Sequence, residues 1–277
     1  MKINIMTPDS TKPNLAAMKI SAWHRQNGDE VFSNFPLINA DFTYASVLFS
    51  WTPDPIADVI GGSKYPHSKL DPEIESMLPD YELYPGIDFS LGYTYRACPR
   101  TCDFCIVPKQ QNDEQHHSIF SFHNPKFKKI CLLNNNTLAD PSWRETFDEI
   151  RDVGLTLKLE QGLDARFITE EVAEYVSRVK MEDALYVAWD FPEHETEILT
   201  GICNLQKAGI KNIRCYVYIT SESHKENLDR VNMLYAMKVD PFAMPQNKHD
   251  RYQKSFARWV NHKAIFKTVR WTDYQSV

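Results

Sequence analysis

Apolar and polar positions change rhythm several times along the chain, and each change marks a new element. Lys2–Met6 reads as a short strand and ends at the turn Pro8-Asp9-Ser10. Beyond it, Leu15, Met18, Ile20, Ala22 and Trp23 recur roughly at helical spacing, with Asn14 placed to cap the helix and Asn27-Gly28 to end it. Glu30–Phe35, Ser46–Trp51 and Ala57–Ile60, the last closed by Gly61-Gly62, are strand candidates. Residues 1–62 therefore predict a small α/β unit with a parallel sheet. Pro66, Pro72, Pro79 and Pro85 prevent a long helix in residues 63–87, which predict an irregular linker.

A second rhythm starts at residue 88. Phe89–Thr94, Ile130–Leu133, Leu155–Leu159, Leu185–Trp189, Arg214–Ile219 and Phe242–Met244 have strand character. Helical stretches separate most of them: Pro141–Val153 behind Asp140, Glu170–Val179 behind Thr169, Glu193–Ala208 before Gly209, and Lys225–Met237. Repeated strand-then-helix units over residues 88–246 predict a β/α barrel or an open doubly wound sheet. Six strands are too few to close an eight-stranded barrel. The fold class expected is α/β throughout.

Residues 247–277 predict a basic amphipathic helix and tail. Lys248, Arg251, Lys254, Arg258, Lys263, Lys267 and Arg270 face a single acid, Asp250, up to residue 270, while Tyr252, Phe256, Trp259 and Val260 recur at helical spacing. Aromatics interleaved with basic residues can stack on RNA or a nucleotide. The competing expectation is that the aromatic face packs on the barrel and the charges meet water.

Composition narrows the class. A hydrophobic fraction of 43% in 277 residues supports a sizeable core, and a formal charge of −6 argues against a general nucleic-acid binder. Apolar runs such as Ala184–Trp189 are too short to span a bilayer, and Pro8 and Asp9 interrupt the start too early for a signal-peptide core. The expectation is a cytoplasmic protein with no membrane partner. Six cysteines are too few for a disulfide scaffold, and Cys131, Cys203 and Cys215 lie in apolar stretches that suggest core positions.

The other three cysteines carry the chemistry. Cys98, Cys102 and Cys105 sit in one Pro- and Arg-containing segment behind the strand Phe89–Thr94, where barrel folds place active-site loops. Thiolates are the ligands of iron–sulfur clusters, and three of them leave one iron of a four-iron cube open. A zinc site needs a fourth ligand, which His116, His117 or His123 can supply. A plain electron-transfer cluster needs a fourth cysteine, and Cys131 lies badly for it inside a strand.

Cys-x3-Cys-x2-Cys, with the aromatic Phe104 just before the third cysteine, resembles the signature of the radical S-adenosylmethionine superfamily. The resemblance implies a partial, TIM-like (β/α)6 barrel over residues 88–246 and a 4Fe–4S cluster on Cys98, Cys102 and Cys105. It also implies that S-adenosylmethionine chelates the open iron and is cleaved to a 5′-deoxyadenosyl radical that abstracts hydrogen. A flavodoxin- or ferredoxin-like electron donor is implied as well. The cofactor carries the hard chemistry, and the protein positions it. Many members carry a Gly-Gly-Glu stretch after the second strand; this chain has Asn134-Asn135-Asn136 there, whose amide oxygens can accept from an ammonium.

Further cofactor candidates follow from strand ends. Glu160-Gln161 and Asp164–Arg166 close the third strand; Gln161 can bind cofactor or substrate, and Arg166 can pair with the cofactor carboxylate or simply with Asp164. Asp190 ends the fourth strand, where a carboxylate accepts from ribose hydroxyls or caps a helix. Thr220–Ser223, Gln246 and Asn247 close the fifth and sixth strands.

The front unit resembles a truncated cobalamin-binding, Rossmann-like domain, through its opening strand, Pro13–Met18 and Asp58–Gly62. The cobalt-ligating Asp-x-His-x-x-Gly motif is absent, and His24 reads as a helix-surface residue, so cobalamin is not expected. Methylthiotransferases place three further cysteines in their front domain, and none precedes Cys98 here. The substrate class stays open, with a nucleotide or RNA among the candidates. The main alternative is a zinc-stabilised nucleic-acid-binding module.

Overall fold

Side-chain alternation and capping set the elements in the computed structural model, which describes residues 1–35, 37–110 and 113–274. Strand β1 (Lys2–Met6) buries Ile3 and Ile5, and helix α1 (Leu15–Gln26) starts where the Asn14 side chain accepts from the Ala17 N–H at 3.0 Å. Strands β2 (Glu30–Ser33), β3 (Phe42–Ser46) and β4 (Val59–Gly61) complete a four-stranded parallel sheet in the order β2-β1-β3-β4. The third strand thus lies upstream of the expected Ser46–Trp51. Asp9 explains the shift: its Oδ2 accepts from the N–H groups of Leu48 and Phe49 and from the Thr52 hydroxyl, each at 2.9 Å. Those amides serve a carboxylate instead of a strand ladder.

The segment expected as an irregular linker contains two short helical turns and contributes to a core. Helix α2 (Pro72–Glu75) begins behind Asp71, whose side chain accepts from the Glu73 N–H at 2.9 Å. Ile74, Tyr81 and Leu83 join Ile3, Ile5 and Met18 in one buried cluster. Each fully buried aliphatic side chain contributes about 1.5–3 kcal/mol, so this segment holds structure rather than merely spanning a gap. Leu91 of β5 (Ser90–Gly92) and Cys131 of β6 (Lys129–Leu132) belong to the same cluster, and the two strands pair in parallel. The chain divides by internal packing into Met1–Asn135 and Asn136–Val277.

The second unit repeats strand and helix in sequence order: α3 (Trp143–Val153), β7 (Thr156–Leu159), α4 (Glu170–Ser177), β8 (Lys180–Met181), β9 (Leu185–Trp189) and α5 (Glu195–Lys207). β10 (Ile213–Ile219), α6 (His224–Ala236), β11 (Asp240–Pro245), α7 (Arg251–Asn261) and α8 (Lys263–Thr268) follow. β9, β10 and β11 form a parallel three-stranded sheet, and β7 pairs in parallel with β8. On β10 the burial pattern alternates: Ile213, Cys215, Val217 and Ile219 are fully buried, whereas Arg214, Tyr216 and Tyr218 are half-buried. The fold is α/β with parallel sheets, and no described sheet closes into a barrel. No described helix is long and apolar enough to cross a membrane.

Three expectations change. His24 is 5% exposed rather than on the helix surface, because its Nδ1 meets Asp29 Oδ2 at 2.7 Å and its Nε2 meets the Tyr44 hydroxyl at 3.1 Å. Cys203 is exposed on α5, where the buried positions are taken by Ile198, Ile202 and Leu205. The tail helix breaks at His262 into α7 and α8. Its aromatic face is packed: Phe256 is fully buried, Trp259 is 3% exposed, and both contact Trp271. Residues 275–277 of the expected tail lie outside the described residues.

Candidate functional site

The three-cysteine loop starts from a strand that needs glycine. A Cβ at Gly92 would lie 2.2 Å from Cγ of the buried Phe122 ring, so only Gly lets the ring cross the end of β5. The phenol of Tyr81 donates to the Phe122 carbonyl and accepts from the Leu91 N–H at 3.0 Å, fixing ring and strand together. Burial pushes the Tyr81 hydroxyl up to about 12, so it stays protonated and able to donate.

Side chains from β6 and from the front of the chain then hold the loop. Asn134, 2% exposed, accepts from the Thr94 N–H at 2.8 Å and the Tyr95 N–H at 3.3 Å, and donates to the Thr94 hydroxyl at 2.8 Å. Asn135 donates to the Arg96 carbonyl. The Arg96 guanidinium reaches Glu75 and lies over the Tyr93 ring at 4.6 Å, and Lys19 joins the same carboxylate at 2.6 Å. One carboxylate thereby meets two cations, one on α1 and one two residues before Cys98. Burial lowers the Lys19 pKa, and its bond to Glu75 opposes that.

Cys98, Cys102 and Cys105 are all half-buried on this loop, and the Cys105 N–H turns back to the Cys102 carbonyl at 2.9 Å. Phe104 between them is 46% exposed. Cys131 and Cys215 are buried in strands, where burial raises the Cys215 thiol well above its ordinary value. Among the described residues, no group of three His, Cys, Asp or Glu side chains is drawn together as a metal cage. The donor set is what fits: three soft thiol ligands within eight residues, on a loop whose backbone is anchored at its start. Of the histidines considered as a fourth zinc ligand, His123 is buried with Nδ1 on the Ser90 hydroxyl at 2.9 Å.

The second unit carries the remaining candidates at its strand ends. Arg166 and Asp164 pair through two bonds, Nε to Oδ1 at 2.7 Å and Nη2 to Oδ2 at 2.9 Å, and Asn136 donates to the same carboxylate at 3.3 Å. Gln161 is exposed beside Gly162, whose φ of 77° lets Leu163 bond the Tyr186 carbonyl at 2.8 Å. Asp190 ends β9 with its carboxylate in no hydrogen bond to a described residue, and burial raises its pKa against the pull of Arg166 and Arg230.

Arg230 is the residue that the sequence patterns passed over. It is 3% exposed on α6, and its guanidinium donates to the carbonyls of Trp189 at 2.8 Å, Asp190 at 3.0 Å and Tyr218 at 2.8 Å. It also reaches Asn227 Oδ1 at 2.9 Å, while Asn227 Nδ2 holds the Thr220 carbonyl at 2.8 Å. One cation thus fixes the carboxyl ends of β9 and β10. Two polar residues, Asn227 and Arg230, one helical turn apart beside apolar Val231 and Leu234 were the available signal.

No protein-family model and no curated protein matches the chain.

Proposed function

We propose that the protein is a radical S-adenosylmethionine enzyme whose Cys98, Cys102 and Cys105 hold a 4Fe–4S cluster. The observation that carries this is the placement of three thiols on one loop, half-buried and held at its base by Asn134, Asn135 and Glu75. Three ligands leave one metal position open to a small molecule, which separates this set from a closed structural site. When bound, such a cluster would supply the one electron that splits the S–C5′ bond of the S-adenosylmethionine sulfonium, leaving methionine and a 5′-deoxyadenosyl radical.

The chain's own residues bind and orient. The three thiolates hold the cluster, and the two asparagines keep the backbone of residues 94–96 in place. Phe104, exposed between Cys102 and Cys105, is assigned to the cofactor side of the loop. In the second unit we assign the unbonded Asp190 carboxylate to hydrogen-bond donors of the cofactor, with Gln161 as a further polar contact. Arg166, already bonded to Asp164, presents a neutralised pair rather than a lone cation. β5, β6, β7, β9, β10 and β11 count on this basis as the strands of a partial, TIM-like (β/α)6 barrel. A cytoplasmic setting and a flavodoxin- or ferredoxin-like donor follow from the need for reduced iron and thiols.

Oxygen-free purification and reconstitution with iron and sulfide test the proposal. About four irons per chain, lost on replacing the three cysteines by alanine, would support it. With dithionite and S-adenosylmethionine, the reconstituted protein is expected to release 5′-deoxyadenosine.

A further inference from the structure

The sheet face of the second unit left half-buried is not built like a packed core. Barrel-type interiors are filled mainly with branched apolar side chains. Here the corresponding positions carry Tyr186 on β9 and Arg214 and Tyr216 on β10, with Ala188 opposite Tyr216 in register. A cavity of about 250 Å³ opens beside them, lined by Lys158, Glu160, Tyr186 and Tyr216 together with apolar Leu157 and Leu159. Tyr186 and Tyr216 stack at 5.1 Å between centroids with 21° between planes, and both rings line the cavity.

Polar groups surround the two rings with both donors and acceptors. Arg214 forms no ion pair with a described residue; its guanidinium lies 5.3 Å from the Tyr186 ring centroid and donates to the Tyr186 hydroxyl at 3.0 Å. Lys158 and Glu160 pair at 3.1 Å at the cavity wall, and burial raises the Tyr216 hydroxyl, which keeps it a donor. We infer that this face is a stacking site for a planar heteroaromatic ring of nucleobase type. Tyrosine faces bind any base by stacking, and a ring edge bearing both donors and acceptors matches a wall with Lys158, Glu160 and Asp183, beside which Arg214 holds the Tyr186 hydroxyl. The volume lies below the ~300–1,000 Å³ of sites that enclose a drug-sized ligand, so the cavity takes the ring and leaves an attached sugar or chain outside.

The site requires neither iron nor S-adenosylmethionine, and fails or survives on its own. Calorimetric titration of the full-length, metal-free protein with adenosine, guanosine, cytidine and uridine, and with a short single-stranded RNA, is the test. At least one nucleoside is expected to saturate with Kd below about 1 mM, and Tyr216→Leu to weaken it roughly fivefold or more. Arg214→Gln, which removes the cation beside the Tyr186 ring, is expected to weaken the same ligand and serves if Tyr216→Leu does not fold. RNA binding tighter than the nucleoside, with the same sensitivity to both variants, assigns the base to a nucleic acid; equal or weaker RNA binding assigns it to a free nucleoside. Absence of saturable binding by every probe, or binding unchanged in folded Tyr216→Leu and Arg214→Gln, overturns the inference and leaves the cluster proposal untouched.

Discussion

Replacing Arg230 by methionine tests whether one buried cation sets the geometry of two strand ends. The wild-type guanidinium satisfies the carbonyls of Trp189, Asp190 and Tyr218 and the amide oxygen of Asn227 at 2.8–3.0 Å. Methionine keeps much of the volume and donates nothing. Four acceptors then lose their partner, and at about 1 kcal/mol each the loss is about 4 kcal/mol. A smaller term opposes it, because burial disfavours the charged guanidinium in the native state and the variant no longer bears that cost. A net destabilisation of about 3 kcal/mol is expected in urea unfolding followed by circular dichroism. Amide exchange is expected to rise first around residues 189–191 and 218–220. A variant within about 0.5 kcal/mol of wild type, with unchanged exchange at those residues, would refute the clamp.

Asn134→Ala removes the acceptor of two buried N–H groups and is expected to cost about 2–3 kcal/mol, read by urea unfolding, and to lower iron retention after reconstitution. Asp190 binds its proton more tightly folded than unfolded, so native stability falls as pH rises from 3.8, the ordinary value, through the raised native value. Asp190→Asn is therefore expected to raise the melting temperature at pH 7, with the gain vanishing below about pH 3.8 and S-adenosylmethionine affinity reduced. Gly92→Ala drives a methyl into the Phe122 ring and is expected to cost about 1–3 kcal/mol, partly recovered in the Gly92→Ala/Phe122→Leu double variant.

Local signals carried most of the element order into the sequence. Asn14 and Thr169 precede their helices by residue type and position, and both accept from the third residue of their helix turn. The alternation along β10 and the amphipathic α7 survive because each depends on one face and one period. What escaped notice depends on partners far along the chain. His24 is buried only because Asp29 and Tyr44 arrive beside it, and β3 ends where Asp9 claims two amides. The cysteine triplet was visible as spacing, whereas its supports were not: Glu75 lies in a segment that looked like linker, and Asn134 looked like a ligand before its amide was found on Thr94 and Tyr95.

Metal content and absorbance of the protein purified and reconstituted without oxygen bear most directly on the central claim. A brown protein with about four irons per chain, colourless when Cys98, Cys102 and Cys105 are alanine, and releasing 5′-deoxyadenosine from S-adenosylmethionine on reduction, is the expected result. A colourless protein holding one tight zinc ion, with no 5′-deoxyadenosine, would contradict it.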